Sequence, residues 1–109
     1  MTVAETRARL AELADEIEAE MRRLGVWTES PPSEDHVLGG GAFGLKAVPF
    51  EDWIQVVLVP RLRQVAAGEI DIPRDSMTGT QAIREWDGMV EREPLAHLLS
   101  TLDGVIRRQ

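Results

Sequence analysis

Gly39-Gly40-Gly41-Ala42-Phe43-Gly44 satisfies the spacing G-x-G-x-x-G. In a dinucleotide site that spacing lets a strand-to-helix turn bring backbone N–H groups against a pyrophosphate. The chemistry needs a preceding strand and a surrounding βαβ unit, and the flanking residues offer neither. The motif therefore reads as a loop that positions Phe43. His36 and His97 stand far apart, and neither has a metal-ligand partner three or four residues after it, so no metal site is expected. Glu34-Asp35 and Glu51-Asp52 could supply an acid and a base. Adjacent residues do not face one another, however, and acidic residues at a helix start explain the second pair. Ser30, Ser33, Ser76 and Ser100 have no base arranged beside them. No catalytic residue is nominated and no cofactor is expected.

Arg61 is the most informative charged residue. An ideal helix places it on the same face as Phe50, Ile54, Val57 and Leu58, and an arginine on an apolar face needs a carboxylate or carbonyl partner. Asp103, on the flank of the last helix, and the carbonyl of Val56 are the candidates. The alternative is that Arg61 lines a cleft for an anionic ligand or a partner's carboxylate. Gln55 falls on a more polar side with Glu51, and Trp53 and the other tryptophans suit core or core-rim packing, with interface anchoring as the alternative. Phe43, Trp53, Gln55, Arg61 and Asp103 make up the candidate binding set.

The elements that must position these residues are helical. Apolar residues at Val3, Leu10, Leu13, Ile17, Met21 and Leu24 recur at helical spacing, with Thr2 and Glu5 as a capping box and Gly25 as the stop. Val26 to Val48 reads as one long Gly/Pro-containing connection, with Trp27, Leu38, Phe43 and Leu45 as candidates for pinning it to the core. Phe50 to Ala67 mixes β-branched residues with helical flanks and reads as a second helix, kinked at Pro60, where a bond to the Val56 carbonyl is lost. Thr78 and Gln81 form a capping box for a short third helix bearing Ile83 and Trp86. Pro94 opens a last helix whose stripe is Leu95, Leu98, Leu99, Leu102 and Ile106. The expectation is an all-α fold, one small bundle of about four helices forming a single domain over residues 1–109.

Composition narrows the function classes. Twelve basic against nineteen acidic residues give a net charge of -7, which repels phosphate and anionic lipid, so direct nucleic-acid binding is not expected. The absence of cysteine removes disulfides, thiolate metal sites and thiol nucleophiles. The acidic first twenty residues do not read as a signal peptide, no run reaches membrane-spanning length, and a cytoplasmic location is the expectation.

Phe50, Trp53-Ile54-Gln55 and Pro60-Arg61 resemble the recurring pattern of the YqcC-like family of small bacterial proteins. The resemblance extends in order through Trp27, Ile72-Pro73 and Leu102-Asp103. It departs at Ala42-Phe43-Gly44-Leu45-Lys46-Ala47, where Phe43 is kept but Lys46 and Ala47 stand in place of acidic and hydroxyl residues. The resemblance implies a helical bundle whose members are often encoded beside, and sometimes labelled as, a tRNA pseudouridine synthase. Such synthases resemble longer mixed α/β proteins with a catalytic Asp supported by an aromatic, commonly Tyr, and this chain has no Tyr. The expected function is a non-enzymatic accessory protein whose partner is another protein, with an RNA-modifying enzyme as the candidate, and self-association left open. The alternative is a small-ligand binder or small enzyme using a cleft near Trp53, Gln55 and Arg61.

Overall fold

Helix α1, Val3–Arg23, begins where the sequence places it. The Thr2 hydroxyl accepts from the Glu5 N–H at 3.1 Å, and the Glu5 carboxylate accepts from the Thr2 N–H at 3.1 Å. It ends at Gly25, whose φ of 74° lets the Val26 N–H reach the Met21 carbonyl and the Gly25 N–H reach the Arg22 carbonyl. The buried stripe runs Thr6, Leu10, Leu13, Ala14, Ile17 and Met21, while Val3 stays outside the core. The computed structural model describes residues 1–39 and 48–109. Phe43, Leu45 and most of the glycine-rich motif lie outside those residues.

The long connection holds a helix that the sequence did not disclose. Helix α2, Glu34–Gly39, is capped by the Ser33 hydroxyl, which accepts from the His36 N–H at 3.1 Å. Six residues are too few to show a period, and only Val37 among them is buried. Leu38, expected to pin the connection, is exposed; Trp27 does pack against the core, with the Arg22 guanidinium over its ring.

The second long helix is continuous but not uniform. Helix α3, Phe50–Trp53, runs into a π-helical stretch, Ile54–Leu58, and then into α4, Val59–Ala66. The Val59 N–H bonds to the Ile54 carbonyl, five residues back. The irregularity expected at Pro60 thus takes the form of a widened turn just before the proline, where its ring would otherwise meet the preceding turn's carbonyl. Gly68, with φ of 80°, ends α4 as Gly25 ends α1.

Helix α5, Thr78–Glu85, packs on α6, Glu93–Arg107, which a 3₁₀ turn at Val90–Arg92 introduces. Helix α1 packs on both α4 and α6, so the core fills the space between Leu10, Ile17, Ile54, Leu62, Leu99 and Leu102. The described residues form an all-helical bundle with no strand. Where α5 crosses α6 the backbones nearly touch: a Cβ built on Gly79 would lie 2.7 Å from the Ser100 Cα. Only glycine fits there.

Candidate binding groove

The π turn decides which side chains reach the surface. It takes in one residue more than an α-helical turn, so positions beyond Leu58 fall back by about 100° from an uninterrupted helical wheel. Leu62 therefore comes round to the face begun by Phe50 and Ile54, and it is buried. Arg61 turns outward. The buried Arg61–Asp103 pair expected from the ideal wheel is not formed; Arg61 is exposed, with its nearest carboxylate that of Glu34 at 3.6 Å.

Asp103 is buried, as its place beside the stripe suggested, but it serves α5. Its Oδ1 accepts from the Ser76 hydroxyl at 2.6 Å and the Thr78 N–H at 2.9 Å, and its Oδ2 accepts from the Gly79 N–H at 2.7 Å. The Thr78 hydroxyl lies 2.8 Å from Oδ1 and 3.2 Å from the Leu99 carbonyl. A carboxylate from a neighbouring helix thus satisfies the free donors at the start of α5 and complements its dipole. The capping box expected from Thr78 and Gln81 does not form, because Thr78 is already inside the helix and Gln81 bonds instead to Glu85.

Gln55 is buried rather than on a polar side. Its Nε2 donates to the Thr28 carbonyl at 2.6 Å and its Oε1 accepts from the Thr28 N–H at 3.0 Å, so one amide satisfies both backbone groups of a loop residue. Phe50 stacks on Trp53 with centroids 5.6 Å apart and tilts against Trp86 at 5.3 Å. Glu51 accepts from the Trp86 indole N–H at 3.3 Å and from Arg92 at 3.2 Å.

Two clefts open between the α3–α4 rod and the chain from Ile70 to Gln81. One of about 550 Å³ has Arg61 at its edge and is lined mainly by apolar side chains, Leu58 and Ile70 among them. The other, of about 380 Å³, reaches Phe50 and Gln81. They adjoin at Trp53, Met77 and Thr78, which line both. Met77 is 58% exposed and Ile70 41%, large apolar side chains left in water at the lip. The far wall is strapped down. The Arg7 guanidinium donates to the Val65 and Ile70 carbonyls, and Arg107 donates to Asp75 at 2.6 Å and to the Ser76 carbonyl at 2.7 Å. Arg107 holds the Asp75 carboxyl below the usual carboxylate range, with the Ser76 N–H adding to the effect.

Of the residues singled out in the sequence, Trp53 and Arg61 share this groove. Asp103 lies beneath it, bonded to Ser76 and Thr78 in its wall; Gln55 is turned away toward Thr28; Phe43 lies outside the described residues. Met77 and Ile70 were missed, although each is a large apolar residue with a polar residue on either side, and that is a readable sign. The Ser76 and Thr78 hydroxyls face a carboxylate whose two oxygens already accept several bonds, an arrangement that holds the start of α5 on α6. Among the described residues no group of three or more His, Cys, Asp or Glu could hold a metal ion, and no helix is long and apolar enough to cross a membrane.

The model of the DUF446 family, described as tRNA pseudouridine synthase C, matches residues 9–105. The chain belongs to that family. The match covers the π turn, Asp103 and both walls of the groove. No curated protein and no solved structure gives a significant match.

Proposed function

We propose that this chain is a non-enzymatic accessory protein that acts by binding another protein, within tRNA modification. The observation that carries the reading is the groove at Trp53 and Met77, where large apolar side chains stand exposed while the nearby polar groups of Ser76, Thr78 and Asp103 bond to one another. Exposed apolar surface beside an aromatic is the usual form of a protein-docking site. The link to tRNA modification rests on the family's description and on the finer resemblance to YqcC-like proteins encoded beside a pseudouridine synthase. The net charge of -7 supports contact with an enzyme rather than with the RNA itself.

The test is reconstitution. The purified protein is titrated against the tRNA pseudouridine synthases of its own cell, and pseudouridine formation on tRNA is measured with and without it. Stable binding to one synthase, with a changed rate or a changed set of modified positions, is the expected result. Pseudouridine formed on tRNA by this protein alone, or binding to no synthase, overturns the proposal.

A second reading draws on Arg61 at the edge of the larger cleft, whose volume of about 550 Å³ falls within the range of small-ligand sites. A small apolar anion would place its charge at Arg61 and its body against Trp53. Thermal-shift screening of apolar carboxylates, with Arg61→Ala as the control, distinguishes this from protein docking.

A further inference from the structure

We infer that the groove takes the apolar face of a cationic amphipathic helix supplied by the partner protein. The inference rests on the reading of the chain as a protein-binding accessory and adds the chemistry of what is bound. The two clefts adjoin at Trp53, Met77 and Thr78 and form an elongated depression walled by a helix on one side and a strapped segment on the other. Such a trough accepts side chains that recur along one face of a helix at i, i+3 or i+4 and i+7. Addition of a strand is not available, since the described residues present no sheet edge.

Charge selects among helices. The segments that wall the groove carry Asp52, Glu69, Asp71 and Glu85, which make no ion pair among the described residues, against Arg74 and Arg84. Glu69 and Asp71 flank Ile70 in sequence, Asp52 precedes Trp53, and Glu85 bonds to the groove residue Gln81. The other arginines of these walls face carboxylates, Arg61 that of Glu34 at 3.6 Å and Arg63 those of Asp15 and Glu18. An apolar floor between segments that carry surplus carboxylates complements leucine-type anchors flanked by Lys or Arg, and the overall charge of -7 steers such a helix inward. A second copy of this chain carries the same negative charge and is repelled.

The test uses the full chain and two synthetic fluorescein-labelled helical peptides. Both carry Leu at i, i+3, i+7 and i+10; the remaining positions are Ala and Lys in one and Ala and Glu in the other. Fluorescence anisotropy is expected to show the Lys peptide binding at least tenfold more tightly than the Glu peptide. Met77→Asp is expected to weaken the Lys peptide at least tenfold. Simple attraction to an acidic protein predicts the opposite, because that change adds negative charge. Ile83→Asp, an equally exposed apolar position outside the groove, is expected to leave binding unchanged, and circular dichroism melts verify that both variants fold.

Absence of Lys-peptide binding, equal binding of the two peptides, or unchanged or tighter binding by Met77→Asp overturns the inference. So does a wild-type dimer in sedimentation equilibrium that Met77→Asp converts to monomer, which would assign the groove to self-association. The two readings fail separately. A synthase that binds Met77→Asp as tightly as wild type removes the groove assignment and leaves the accessory role, whereas Lys-peptide binding without any synthase partner removes the link to tRNA modification.

Discussion

The crossing of α5 on α6 and the groove beside it share residues and obey opposite rules. At the crossing, Asp103 receives hydrogen bonds from Ser76, Thr78 and Gly79, and Gly79 leaves no space above Ser100. Earlier in the chain, Met77 and Ile70 are apolar, large and left in water. A buried polar group whose bonds are all made explains its own presence through stability. Exposed apolar groups beside it have no such explanation in the isolated chain, and function is to be sought in the second region rather than in the charged residues that first draw notice.

The comparison can be broken most directly at Asp103. Asp103→Ala leaves the N–H groups of Thr78 and Gly79 and the Ser76 hydroxyl without their acceptor in a buried place, and a loss of about 3 kcal/mol is expected in denaturant melts. Gly79→Ala, by pressing a methyl group on the Ser100 backbone, is expected to cost about 2 kcal/mol. Shortening Ser100 to glycine removes the nearest contact, that with its Oγ, but should restore only part of that loss, because the Ser100 Cα and N remain at 2.7 and 2.9 Å. Gln55→Leu removes both bonds to Thr28 and is expected to cost roughly 1–2 kcal/mol, with faster hydrogen exchange at the Thr28 amide. If Met77→Asp proved as costly to stability as Asp103→Ala, the groove would belong to the core and the contrast would fail.

The smallest effect is electrostatic. Glu18 lies between Arg63 and Arg22, and those two, Arg63 the more strongly, hold its carboxyl below the ordinary glutamate value. A depressed folded value means that the contribution is present above the ordinary value and is lost as pH falls through the lower one. Glu18→Gln should therefore cost under about 1 kcal/mol at neutral pH, surface pairs being screened, and the difference from wild type should shrink toward zero as pH falls below the lowered carboxyl value.

Helix α1 was legible to its caps, because its signals are local: Thr2, Glu5 and Gly25 act within a turn of their own positions. The apolar stripe of α6 was legible for the same reason. The start of α5 was not, since its donors are met by a carboxylate that lies across the interface on α6 and not by the Thr78–Gln81 pair that the sequence offers. The helical wheel also misplaced Arg61, because a wheel assumes one period and the π turn introduces a shift at Leu58. Pro60 announced a disturbance without saying whether the chain would bend or widen. Trp53 was recognised as a possible anchor, but its neighbours Met77 and Ile70 come from a stretch without periodicity. Only the folded chain brings them to it.

The strap that forms the far wall of the groove has a consequence for the order of events in folding. Residues 67–77 contain no helix of their own, and the Ile70 and Ser76 carbonyls are met by Arg7 from the first helix and Arg107 from the last. Arg7 lies 63 residues from Ile70 and Arg107 lies 31 from Ser76, so the loop must wait until both helices have docked. The wall is thus a late-forming, locally detachable piece. Partial unfolding that releases it would erase the groove while α1, α4 and α6 stay together, and amide exchange around Ile70 and Ser76 would report this opening ahead of global unfolding.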